Sequence, residues 1–73
     1  MVTPFKNEIW YVDLSPSIGN EIGGVRPCRI EKRLSADMVQ VVPNIYDERR
    51  RDFRFAPEHT RSISIQRLRQ KII

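Results

Sequence analysis

The run GNEIGGVRP, residues 19–27, holds all three glycines of the chain and leads directly into an arginine. Glycine has no side chain, so an anion can approach the backbone N–H groups of such a run closely. The guanidinium of Arg26 adds forked donors that match a phosphate and stay charged at any physiological pH. The chemistry this pattern suits is the holding of a phosphate. Glu21 is placed to hydrogen-bond Arg26 or the neighbouring backbone and so fix the geometry. A plainer reading stands beside it: a tight turn whose arginine pairs with Glu21 at the surface. A nucleotide P-loop is excluded, because no Gly-Lys-Ser/Thr follows the glycines.

The chain has 73 residues, which allows one domain over 1–73 and a modest core. Staples are absent. A single Cys cannot form an internal disulfide, and one Cys with one His cannot complete a four-ligand zinc site. A homodimer or partner subunit is the expected source of further stability. A lone Cys28 in an apolar strand fits a reducing, cytoplasmic setting. No apolar run is long enough to span a bilayer, and the N-terminus lacks the pattern of a signal peptide. The expectation is a soluble protein with no membrane contact. Its net charge of +4 is unevenly spread. Residues 1–24 carry one Lys against three acids, a net of −2, and residues 49–73 carry eight Arg or Lys against two acids, a net of +6. A basic half of this kind suits nucleic acid, although a solvated basic face with no partner has the same composition.

The elements that must position these groups are mostly strands. Residues 8–14, EIWYVDL, are β-branched and aromatic, with Trp10, Val12 and Leu14 on one face and Ile9, Tyr11 and Asp13 on the other. Apolar residues on both faces predict a central strand. Residues 15–24 read as a long loop, 25–30 as a second strand and 36–43 as a third. Ile45-Tyr46 and Phe53-Arg54-Phe55 flank a charged tip over 47–51, a hairpin pattern. Alternation over 60–65 predicts a fifth strand. Residues 64–73 read as a short helix, with Ser64 as its N-cap, Ile65, Leu68 and Ile72 as its stripe, and Arg69 and Lys71 near its C-terminus. Together these describe a mainly β protein, a small curled barrel of about five strands with a short C-terminal helix.

Two segments carry a resemblance. WYVDLSPSIGNEIGGVRP, residues 10–27, resembles the N-terminal signature of the MazF/PemK toxins, an aromatic strand followed by D-[LF]-x-P and G-S-E-Q-G-G-x-R-P. Asp13, Pro16, Gly19, Glu21, Gly23, Gly24, Arg26 and Pro27 all fall in step. HTRSISIQRLRQKI, residues 59–72, is similar to the family's Q-x-[RK]-[TS]-I-x-x-x-R-L segment. The resemblance implies an SH3-like, PemK-like barrel that dimerises. It implies a metal-independent, cofactor-free endoribonuclease (an mRNA interferase) that cuts single-stranded RNA at short sequences and is silenced by a cognate antitoxin. In that family the glycine-rich loop lies along the RNA and the arginine after it is catalytic, which assigns Arg26. Glu21, Ser35 and His59 are then candidate catalytic assistants. Gly19, Asn20, Gly23, Gly24, Pro27, Arg61, Arg49 and Arg50 are candidate substrate contacts.

The sequence departs from the family at defined points. Where the family has a Ser-Pro-Thr with a catalytic Thr, this chain has Ser35 and Asp37, and a carboxylate repels a phosphate that a hydroxyl would bond. The strand after Arg26-Pro27 alternates Cys28 and Ile30 with Arg29 and Glu31, so one of its faces is expected to be wet. His59 replaces the usual Gln; imidazole is the side chain suited to proton transfer near neutrality, and a surface histidine without a role is the plainer reading. Phe53 and Phe55 fit a strand's core face better than a stacking platform for bases. Family members usually continue beyond the position of Ile73. These departures support an alternative, a catalytically degenerate relative that binds nucleic acid (RNA or DNA) or engages a toxin or antitoxin.

Overall fold

The computed structural model describes residues 3–16, 23–44 and 54–72. Five antiparallel strands form one sheet: β1 (Ile9–Asp13), β2 (Val25–Arg33), β3 (Met38–Pro43), β4 (Arg61–Ser64) and β5 (Leu68–Lys71). Their order across the sheet is β4-β3-β2-β1-β5. Single-turn 3-10 helices cover Pro57–His59 and Ile65–Arg67.

Strand alternation builds the inner face. Trp10, Val12 and Leu14 from β1 and the residue after it, Cys28 and Ile30 from β2, Val39 and Val41 from β3, Ile63 from β4 and Leu68 from β5 make one core. β1 is an inner strand paired on both edges, as its composition predicts. Only one of its faces is sealed, however, and Tyr11 stays exposed. The outer face of β2 is wet as expected. There Arg29 pairs with Glu31 at 3.0 Å and lies 6.0 Å from the centroid of the Phe55 ring.

Among the described residues the sheet is open, with no pairing between β4 and β5. Its two edge strands, β4 and β5, are joined by only the three residues Ile65–Arg67. Laid flat, the edges of five strands would stand roughly 19 Å apart at ordinary spacing, whereas three residues of 3-10 helix advance about 6 Å. The connection therefore holds the end of β4 close to the start of β5.

The helix expected over 64–73 is absent. Ser64 does cap a turn, its hydroxyl oxygen accepting from the Gln66 N–H at 3.2 Å, but the turn ends after Arg67 and Leu68–Lys71 become β5. The reason lies 56 to 61 residues away in sequence. The open edge of β1 offers unpaired backbone groups, and β5 takes them, with Val12 opposite Leu68, Tyr11 opposite Gln70 and Trp10 opposite Lys71. A helix of ten residues is marginal in water, and edge pairing outweighs it. Lys71 adds an ion pair at 2.7 Å to Glu8, the residue just before β1. Of the hairpin expected around the charged tip, the described part is the bridge of Asn44 to Phe55; Phe53 and residues 45–52 lie outside the described residues. No described helix is long and apolar enough to cross a membrane.

Candidate functional site

The inner row of β2 begins with a charge. Arg26 shares the face of Cys28 and Ile30 and stands directly opposite the fully buried Val12. Its Nε donates to the Gly23 carbonyl at 3.0 Å. Among the described residues no hydrogen bond or ion pair engages its two terminal nitrogens. The local chain makes this possible. Gly24 adopts φ +77°, a left-handed conformation in which glycine alone is unstrained. Its carbonyl there accepts from the Leu14 N–H at 2.8 Å, which ties the two sides of the β1–β2 connection together next to Arg26.

Arg61 also sits on the inner row, opposite buried Val41, and its Nη1 donates to the Leu14 carbonyl at 3.0 Å. Arg26 and Arg61 both lie near enough to Cys28 to favour its thiolate electrostatically. Burial dominates and pushes the thiol up to about 12. Cys28 is therefore an apolar core group rather than a nucleophile, and its two cationic neighbours leave an anion-seeking rim on an apolar floor.

Around the outside of this rim, Arg67 donates through Nη1 to the carbonyls of Asp13 (3.4 Å) and Ser15. Arg69 pairs with the Asp13 carboxylate at 3.2 Å. The Asp13 carboxyl is held below its ordinary range, first by the Ser15 hydroxyl, then by the Ser15 backbone N–H, with Arg69 adding to both. Asp13, Ser15, Ser64, Gln66, Arg67 and Arg69 line an open groove of about 540 Å³. The Ser15–Pro16 peptide beside it is cis.

Of the residues singled out in the sequence, Arg26, Gly23, Gly24 and Arg61 come together here, with Pro27 on the outer face of the same strand. Ser35 does not join them. It lies in the β2–β3 turn, where its hydroxyl donates to Asp37 at 2.9 Å. The strand from Arg26 to Arg33 alone spans about 20 Å at the usual rise. His59 closes the 3-10 turn Pro57–His59, which packs on β3; no hydrogen bond among the described residues joins it to Arg26. Gly19, Asn20, Glu21, Arg49 and Arg50 lie outside the described residues. Arg67 and Arg69 were not singled out as site residues; the helix expected there hid the 3-10 turn and the strand that aim them at the end of β1. Among the described residues, no cluster of His, Cys, Asp or Glu is suited to hold a metal ion.

Compared with known proteins, the chain matches no family model, and no curated protein sequence matches it.

Proposed function

We propose that this chain is a compact endoribonuclease of the MazF/PemK kind, cutting single-stranded RNA without a metal or cofactor. The observation that carries the reading is Arg26: an arginine on the inner row of the sheet, oriented through Nε by Gly23, whose terminal nitrogens bond no other described residue. An RNA phosphodiester carries its own nucleophile. The 2′-oxygen attacks the adjacent phosphorus, the bond to the 5′-oxygen breaks, and the products are a 2′,3′-cyclic phosphate and a 5′-hydroxyl. The proton lost from the 2′-hydroxyl is taken up, and the leaving 5′-oxygen gains one. Arg26 neutralises the charge that builds on the phosphoryl oxygens, the largest single contribution such a site can make. His59, the chain's one imidazole, is the proton carrier in this reading. The five-stranded sheet then serves as a small SH3-like barrel, acting in the cytoplasm as a homodimer and held in check by a cognate antitoxin peptide.

A second reading rests on a specific observation. Ser35 and Asp37 bond to each other in a turn at the far end of β2, so the position expected to supply a second catalytic hydroxyl is elsewhere. In that reading the protein binds nucleic acid, or a toxin or antitoxin, without cutting. Incubation with a long single-stranded RNA in EDTA, followed by mapping of the ends, separates the two. Discrete ends bearing 2′,3′-cyclic phosphate and 5′-hydroxyl support the nuclease. Salt-sensitive binding with no new ends supports the binder.

A further inference from the structure

We propose that Arg67, flanked by Arg61 and Arg69, is a positioning residue that fixes the exit of β1 and, through it, the backbone on which Arg26 is oriented. The carbonyls of three successive residues, Asp13, Leu14 and Ser15, each accept from a guanidinium carried by the β4–β5 arm. Arg69 adds its bond to the Asp13 carboxylate. Where a strand ends, its carbonyls lose their ladder partners and need others. Here charged donors take that place, which is a stronger bond than a neutral one.

The links run on to Arg26. Leu14, whose carbonyl is held by Arg61, donates its own N–H to Gly24. Gly23, the next residue back, supplies the carbonyl that orients Arg26. Arg67 is the central member because one of its nitrogens serves two carbonyls that bracket Leu14, on Asp13 and Ser15. The two hydrogens on that nitrogen are fixed in the guanidinium plane, whereas lysine carries a freely rotating ammonium on a flexible stem and holds two carbonyls less firmly. This assignment also gives Arg61 a structural target, the Leu14 carbonyl, beside the substrate contact expected for it from the sequence. The catalytic consequence rests on the nuclease reading; the structural one does not.

The test uses Arg67→Ala and Arg67→Lys in the full chain. Amide hydrogen exchange is read at Leu14, whose N–H bonds Gly24, and at Ile30, whose N–H bonds Glu8 in the core of the sheet. The expected result is lost protection at Leu14 with protection at Ile30 retained, in both variants. RNA cleavage is then compared in the wild-type and Arg26→Ala backgrounds. Loss of positioning lowers kcat by up to about 10²-fold with KM little changed, and gives no further loss once Arg26 is gone. Unchanged protection at Leu14 overturns the proposal. So does equal loss at Leu14 and Ile30 in both variants, which makes Arg67 a general stabiliser, or an additive effect with Arg26→Ala. If the wild type cuts no RNA, the nuclease reading falls and the exchange result alone decides the positioning role.

Discussion

The two ends of β2 use arginine for the same local task with different amounts of the side chain to spare. At its C-terminal end, exposed Arg33 donates through Nε to the Ser35 carbonyl at 2.9 Å and through Nη2 to the Ala36 carbonyl at 2.8 Å. Its fork closes the β2–β3 turn. Near the other end, half-buried Arg26 donates among the described residues only through Nε, to Gly23, and sits on the inner row beside Cys28. Both arginines anchor a neighbouring carbonyl; among the described residues Arg26 adds terminal nitrogens without a bond, a buried apolar neighbour in Cys28 and a second guanidinium, Arg61, near it. The difference teaches that an arginine's local partners decide how much of its fork is spent inside the fold.

The largest effect expected from breaking this contrast is at Arg26. Arg26→Lys keeps the charge and loses the fork, and RNA cleavage is expected to fall by about 10²-fold, measured as single-turnover rate. Next is Gly24. A Cβ there meets nothing within 4 Å, so the cost of Gly24→Ala is backbone strain alone at φ +77°, about 1–2 kcal/mol. Asn tolerates this region better, as Asn7 does here at φ 73°, so Gly24→Asn is expected to lose less in denaturant melts. A smaller effect follows at the other end of β2, where Arg33→Ala costs about 0.5–1.5 kcal/mol of stability by freeing two turn carbonyls to water.

The smallest effect belongs to Glu8, away from both arginines. Its carboxyl is pulled down to about 2, first by Lys71, then by the Phe5 N–H and the Trp10 indole. A carboxyl depressed in the folded state stabilises it above the unfolded value, about 4.3, and that gain is lost as pH falls towards 2. Thermal melts across this window are expected to show a modest acid loss that Glu8→Gln removes and that salt weakens, since the Lys71 end of the pair is exposed.

How much of this was legible in the sequence depended on whether its cause was local. The row of Cys28 and Ile30 against Arg29 and Glu31 followed from alternation, and the glycines marked a loop, but the left-handed φ at Gly24 was not legible. Arg61 alternating with Ile63 placed it on the inner row, but its target, Leu14, is 47 residues away. The spacing of Ile65, Leu68 and Ile72 fits a helix; what turned Leu68–Lys71 into a strand was the open edge of β1, which no local pattern encodes. Ser35 illustrates the same limit. Its hydroxyl was visible, and its distance from Arg26 was set by the length of β2 and the turn that Arg33 closes.

The central claim is that Arg26, and not the turn arginine, carries the chemistry. Wild type, Arg26→Ala and Arg33→Ala, incubated on one single-stranded RNA in EDTA, test it directly. The account predicts 2′,3′-cyclic phosphate ends from wild type at a rate Arg33→Ala keeps, and a loss of about 10²-fold or more in Arg26→Ala. Cleavage by Arg26→Ala at the wild-type rate, or an equal loss in Arg33→Ala, contradicts it.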